Sequence, residues 1–211
     1  MLQHNKLILE KEKQPSPAGI LQDIAMKTND LTELRNTVPA VVAEFAQQLV
    51  VQRRLGKTLE AECTVTDGQL GGLHTRVRSY ADLDGYADFC AWVDFWAMEF
   101  ARRAEAAVVH VSMSHSRQPT CPRFHVDNVP LRFISTLHGS GTQWLRARDV
   151  ERTADNAIKQ QVDPQIIQQM PSGSVGFFRG ACGESASVGG IVHRSPLNEE
   201  DRVVLKIDKI R

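Results

Sequence analysis

The chain has 211 residues, and its 25 lysines and arginines balance 25 aspartates and glutamates, so the formal net charge is zero. A polyanion binder carries a basic excess or stripe; the longest basic clusters here are pairs such as Arg53-Arg54 and Arg102-Arg103, which read as solvated helix faces, so no nucleic-acid partner is expected. At 42% hydrophobic and 24% charged residues the composition is globular, neither disordered nor fibrous, and no run is long enough to span a membrane.

Residues 1–29 carry Lys, Glu, Gln and the Pro15-Ser16-Pro17 break without a sustained period, and read as a flexible or loosely docked arm. Within them Leu7-Ile8-Leu9 is cut off by Glu10-Lys11-Glu12-Lys13, too short for a secretory core, which places the chain in the cytoplasm with no membrane partner. Four widely spaced cysteines, Cys63, Cys90, Cys121 and Cys182, suit free thiols in a reducing compartment.

From Asp30 the pattern changes. Asp30 and Glu33 stand as a capping box, and Leu31, Leu34, Val38, Val41, Val42, Phe45 and Leu49 follow at helical spacing. Pro39 ends or kinks this run, so a second helix is expected from Ala40 to Leu55. A strand is expected from Leu59 to Val65, then a turn around Gly68, Gly71 and Gly72, then a short strand from Thr75 to Arg78.

A long helix is expected from Leu83 to Ala106, dense in Tyr86, Phe89, Trp92, Phe95, Trp96 and Phe100; apolar residues nearly all round it imply burial between layers. Beyond Ala107 come short β-branched or aromatic runs, expected as strands at Val108–Met113, Arg132–Leu137, Trp144–Ala147, Val175–Phe178, Ile191–His193 and Arg202–Ile207, with Asp149–Gln169 polar and partly helical. The expectation is an α+β chain: one domain over 30–211, mainly helical over 30–106, with a jelly-roll or cupin-like barrel over 107–211.

The most informative stretch is Cys121-Pro-Arg-Phe-His125-Val-Asp127-Asn128. In an extended chain residues two apart share a face, so His125 and Asp127 can meet one atom, whereas a helix would splay them by roughly 200°. Pro122 and the β-rich sequence downstream favour the extended form. A third metal ligand is then His193, in Gly190-Ile-Val-His193-Arg-Ser-Pro196. Two histidines and one carboxylate on one side of an ion are the donor set of non-haem Fe(II) oxygenases. Cys121 or Cys182 near the same ion would turn the preference toward zinc. His74, His110, His115 and His138 lack partners at ligand spacing, Gly139-Ser-Gly141 is too short for a phosphate loop, and no nucleophile elbow surrounds Ser195.

After His125 and Asp127 come the Leu131–Leu137 run, Gly139-Ser-Gly-Thr142-Gln-Trp144, the Pro171–Phe178 run, His193 and then Arg202. This order resembles the double-stranded β-helix of the Fe(II)/2-oxoglutarate dioxygenases over roughly Val108 to Asp208. More narrowly, the CPxFHxD, GxGTxWL and VHRSP blocks are similar to a bacterial family, domain of unknown function 1826, which brings no reaction with it.

The dioxygenase resemblance implies Fe(II) on His125, Asp127 and His193, and Arg202 on the distal carboxylate of 2-oxoglutarate, which a guanidinium can grip with two hydrogen bonds. Many such enzymes place a hydroxyl two residues after that arginine, where this chain has Val204; alternation also groups Arg202 with Lys206 and Asp208, a set that equally describes a solvent edge. Arg132 is the alternative anchor, with Ser135, Thr136 or Thr142 as hydroxyl donors. Three readings follow: an Fe(II)/2-oxoglutarate oxygenase acting on an unknown small-molecule or protein substrate, a non-catalytic zinc- or iron-binding barrel for metal handling, and a barrel used only as an interaction scaffold.

Overall fold

The computed structural model describes residues 31–56, 58–65, 71–182 and 189–210; the expected arm, Asp30 and the Gly68 turn lie outside the described residues. In chain order the elements are β1 (Thr32–Leu34), α1 (Ala40–Val51), β2 (Thr58–Thr64), α2 (Gly71–Val77), α3 (Tyr86–Ala104), β3 (Val108–Ser116), β4 (Leu131–His138), β5 (Gln143–Trp144), β6 (Gln168–Gln169), β7 (Val175–Arg179), β8 (His193–Arg194) and β9 (Arg202–Lys209). Single 3₁₀ turns stand at Arg78–Tyr80, Ala147–Asp149 and Pro164–Ile166.

Two antiparallel sheets result. The larger has the order β1-β7-β4-β9-β3-β2, and the smaller the order β6-β5-β8. On the larger sheet period-two alternation sorts the side chains sharply. Val109, Val111 and Met113 of β3, Phe133 and Leu137 of β4, Phe177 of β7 and Val203, Leu205 and Ile207 of β9 enter one core with Phe45 and Leu49 of α1 and Phe89, Trp96 and Phe100 of α3. Trp96 stands at its centre, its ring centroid 5.6 Å from Phe133 and 6.2 Å from Phe177. The opposite face is covered in part by the smaller sheet: Ile134, Phe178 and Val204 pack there with Met170, Ile191 and Trp144. The aromatic helix is therefore a structural wall, but not one buried between layers as expected: it covers one face of the larger sheet, and Asp88, Ala91, Met98 and Arg102 on its outer side are exposed.

Several expectations need correction. The strand expected at Ile191–His193 is His193–Arg194. The run after Asp30 is not a helix: Thr32–Leu34 pairs antiparallel with Val175–Phe177, and Asn36 takes a positive φ of 54° before Pro39 opens α1. The backbone pairing with β7 outweighs a weak local helical pattern. Thr75–Arg78 is not a strand; Leu73 and Val77, four apart and both fully buried, form one face of α2. The strand expected at Trp144–Ala147 is only Gln143–Trp144, since Ala147 enters a 3₁₀ turn. Asp149–Gln169 contains one 3₁₀ turn, capped by Asp163 through Gln165 N–H, and otherwise runs irregularly into β6. The helical half of the map also contributes β1 and β2 to the larger sheet, so strands and helices interleave from the start.

Candidate metal centre

His125 and His193 are brought together by backbone. They form an isolated antiparallel bridge, each N–H donating to the other's carbonyl, at 3.0 and 2.9 Å. Residues directly opposed in this way project on the same side, and the two rings lie 4.5 Å apart between centroids. His193 is buried against the Phe178 ring at 4.8 Å. Two residues past His125, Asp127 is pinned by Ala181 N–H on its carbonyl at 2.8 Å. Gly180 allows that approach, because a Cβ there would fall 1.8 Å from the carbonyl oxygen of Val129.

The ligand atoms of His125, Asp127 and His193 all lie within 4.8 Å of one another. His193 Nε2 is 3.2 Å from Asp127 Oδ2, and His125 Nε2 is 3.5 Å from Oδ1. Two adjacent ligands each about 2.1 Å from one ion stand about 3 Å apart, so the spacing suits a divalent metal. The tautomers agree. Nδ1 of His125 is 2.9 Å from the Arg123 carbonyl and Nδ1 of His193 is 3.0 Å from the Ile191 carbonyl. A carbonyl only accepts, so each Nδ1 carries hydrogen and donates, and each ring turns its Nε2 toward Asp127, the atom that would bind a metal.

Asp127 Oδ2 is buried and receives no hydrogen bond. Two imidazole Nε2 atoms and a carboxylate facing one another are held together by protons on the rings or by a cation between them. Burial would raise the Asp127 pKa, but the imidazoles of His125 and His193 and the charges of His193 and Arg132 hold the carboxyl far below the usual range. The His125 pKa is raised, chiefly by Asp127 and against burial. A cation fits this donor set. Among the described residues this is the group of three or more possible ligands that converges, and neither Cys121 nor Cys182 belongs to it. Cys121 is exposed and lines the same cavity, while Cys182 is half-buried.

That cavity encloses about 420 Å³ of atom-free space, mouth included, and its wall includes His125, His193, Arg132, Thr142, Arg202 and Lys206. Arg202 is 6% exposed, so the face of β9 that it shares with Lys206 looks into the cavity and is not a solvent edge. Its Nε donates to the Ser140 carbonyl at 2.6 Å, and among the described residues no other hydrogen bond engages the guanidinium. Burial lowers its pKa while Glu200 opposes, and an arginine stays charged throughout. The Ser140 turn comes this close because Gly139 sits at a φ of +81°, where a Cβ would meet the Asp201 carbonyl at 2.4 Å.

Arg132 is placed differently. Its Nε and Nη2 both donate to Asp208 at 2.7 Å, and its Nη1 donates to Asp127 Oδ1 at 2.7 Å. Thr142 is buried on the cavity wall, whereas the Ser135 hydroxyl donates to the Ser174 carbonyl at 2.9 Å. Thr136 is buried on β4. Ser195 Oγ lies 3.1 Å from Thr120 Oγ1 and accepts from Cys121 N–H at 3.2 Å. His74 and His115 pair with Asp94 and Asp201 at 3.0 and 2.8 Å and do not belong to the converging group. Sequence reasoning missed the Asp208 contact to Arg132; its signal was the period-two set Arg202, Lys206, Asp208, which says that the three share a face but not what covers it.

A family model described as protein of unknown function (DUF1826) matches residues 16–208. No curated protein matches the sequence. Among solved structures, dioxygenase for auxin oxidation 1 from Arabidopsis thaliana, in its 2-oxoglutarate complex, is similar at a TM-score of 0.54 and 8% identity, over 85% of this chain and 82% of that one. The rice dioxygenase for auxin oxidation gives 0.49 at 13% identity, over 85% and 73%; a Pseudomonas putida prolyl-4-hydroxylase gives 0.43 at 12%, over 88% and 94%. The first of these carries the fold assignment, a double-stranded β-helix. Among the described residues no helix is long and apolar enough to cross a membrane.

Proposed function

The chain belongs to the DUF1826 family, and we propose that it is an Fe(II)- and 2-oxoglutarate-dependent oxygenase. One observation carries the reading: two imidazoles, each with its Nδ1 held by a carbonyl, and Oδ2 of Asp127 converge at a cavity into which Arg202 extends a guanidinium bonded to no carboxylate among the described residues. The first part is a metal site and the second an anchor for an anion. A 2-oxo dicarboxylate presents a chelating end and a distal carboxylate, which is the ligand these two features select.

In this reading His125, Asp127 and His193 would hold the metal, three protein ligands of the kind that leave room for a cosubstrate. Bound iron supplies the oxidative chemistry, a two-electron oxidation of substrate coupled to decarboxylation of the 2-oxo acid by O₂. The chain's own residues bind, orient and exclude. The Ser140 carbonyl fixes Arg202 through Nε, leaving the outer edge of the fork to meet a carboxylate with two hydrogen bonds. Thr142 adds a buried hydroxyl on the same wall. Ile134 and Val204 add apolar surface to the same cavity wall, which lowers the local dielectric and strengthens both interactions. Val204 stands where many relatives of this kind place a hydroxyl, so Thr142 takes that part.

The test is anaerobic reconstitution with Fe(II) followed by titration with 2-oxoglutarate. A weak visible charge-transfer band, and consumption of 2-oxoglutarate once oxygen is admitted, support the assignment. A fully iron-loaded protein with neither would end it. The rival reading, a zinc-handling barrel, gains a donor only if Cys121 swings inward from the cavity wall. Metal analysis of freshly purified protein together with Cys121→Ser distinguishes the two, because the oxygenase reading expects no change in metal affinity.

A further inference from the structure

Arg132 is engaged on both edges of its fork. The Nε/Nη2 edge is closed by both oxygens of Asp208, and Nη1 on the other edge is spent on Asp127 Oδ1, all at 2.7 Å. The side chain is four-fifths buried and its partners more so, with side-chain exposures of 19%, 14% and 9% for Arg132, Asp208 and Asp127. Register explains the pairing: Arg132 of β4 lies directly opposite Asp208 of β9 on the cavity face. A charge-assisted pair of this geometry is stiff as well as strong.

We infer that Arg132 is a positioning residue of the metal centre: it occupies Oδ1 of Asp127 so that the carboxylate meets the metal through Oδ2 alone, and Asp208 holds Arg132 in place to do so. This inference rests on the metal-binding part of the proposed function and not on the identity of the cosubstrate. A carboxylate with both oxygens free can chelate an ion through both, which would consume one of the open positions that a chelating 2-oxo acid and a further ligand need. With Oδ1 bound to a guanidinium and Oδ2 bare of donors, that mode is blocked. The same contacts make Arg132 the poorer cosubstrate anchor, since two carboxylates already balance its charge and take three of its five N–H groups, whereas Arg202 spends one on a carbonyl.

Cobalt(II) in place of iron reports coordination through its visible d–d bands without turnover. The experiment compares wild-type protein with Arg132→Met, Arg132→Lys and Asp208→Asn, measuring the cobalt dissociation constant, the d–d spectrum, the 2-oxoglutarate dissociation constant of the cobalt form and the melting temperature. Loss of a partner that orients a metal ligand costs about 10- to 100-fold in metal affinity, and Arg132→Met is expected to show that loss with altered d–d bands. Arg132→Lys, which keeps one donor for Oδ1, restores the spectrum while remaining less stable. Asp208→Asn shifts it in the same direction by less.

Should Arg132→Met not fold, the other two variants decide. A lowered melting temperature with cobalt affinity and spectrum unchanged in both would mean that Arg132 is only structural and would overturn the inference. Weakened 2-oxoglutarate binding with an unchanged cobalt spectrum would also overturn it, by making Arg132 an anchor. Failure of the wild-type protein to bind cobalt or iron at all would instead sink the functional reading, and the inference with it.

Discussion

The two faces of the larger sheet are written on the same strands and obey opposite rules. On β9, Val203, Leu205 and Ile207 are buried in the core that α3 covers, while Arg202, Val204 and Lys206, one residue out of phase, line the cavity and Asp208 on the same side bonds Arg132. On β4 the same split separates Phe133 from Arg132. Packing on the first face is dense and carries no chemistry. The second face carries charge and borders the cavity, and its Arg132 reaches Asp127 of the metal centre. Stability and function are therefore separable by one step along a strand, and substitutions can be chosen to strike one face and spare the other.

The sharpest break comes from the cavity side. His193→Ala is expected to reduce metal loading to background while the melting curve of the apo-protein stays close to wild type, because the bridge to His125 is made by backbone atoms. Normal metal stoichiometry in this variant would remove the centre. On the helix-covered face, Trp96→Ala should destabilise by about 3–5 kcal/mol, the usual cost of deleting a buried ring, with metal affinity retained in the folded protein. An unchanged denaturation midpoint would contradict the burial of Trp96, which is 2% exposed.

Arg202→Leu probes the boundary between the faces. It should leave the metal dissociation constant near wild type and weaken 2-oxoglutarate by about 1.5–3 kcal/mol, at least tenfold, for the loss of a charged two-pronged grip. An unaffected cosubstrate titration would transfer the anchor elsewhere, with Lys206 next in line on the same face. The smallest effect belongs to Ile207→Val, where removal of one buried methyl costs about 0.5–1.5 kcal/mol and nothing in metal binding. A metal defect in that variant would show that the two faces are coupled.

The site was partly legible because it is partly local. His125 and Asp127 share a side through extended-chain alternation alone, and the order of blocks that follows suggested His193 as the third ligand. The existence of α3 followed from its density of aromatic residues, but burial between layers did not: Phe89, Trp92, Val93, Trp96 and Phe100 face the core while Asp88, Ala91, Met98 and Arg102 are exposed. What escaped were segments where a short local signal competes with a long-range partner. Leu31, Leu34 and Val38 keep helical spacing, yet Thr32–Leu34 bonds to a strand more than a hundred residues away. Thr75 and Val77 suggested a strand, while the decisive spacing was Leu73 to Val77 to Tyr80 against the core.

The amino-acid sequence by itself determined which residues travel together: His125 with Asp127, and Arg202 with Lys206 and Asp208, because backbone geometry makes alternate side chains in an extended chain share a side. It also determined that the chain has enough apolar surface for a core and no charge excess to spend on polyanions. Only the tertiary structure decided which side is inside. Helices α1 and α3 cover one face of the larger sheet, so the charged set on β9 becomes a cavity wall; had they covered the other, the same residues would be a solvent edge. Tertiary pairing likewise set His193 opposite His125 and Arg132 opposite Asp208. Period two states that residues share a face and is silent about what the face will meet, since that depends on contacts between segments far apart in the chain.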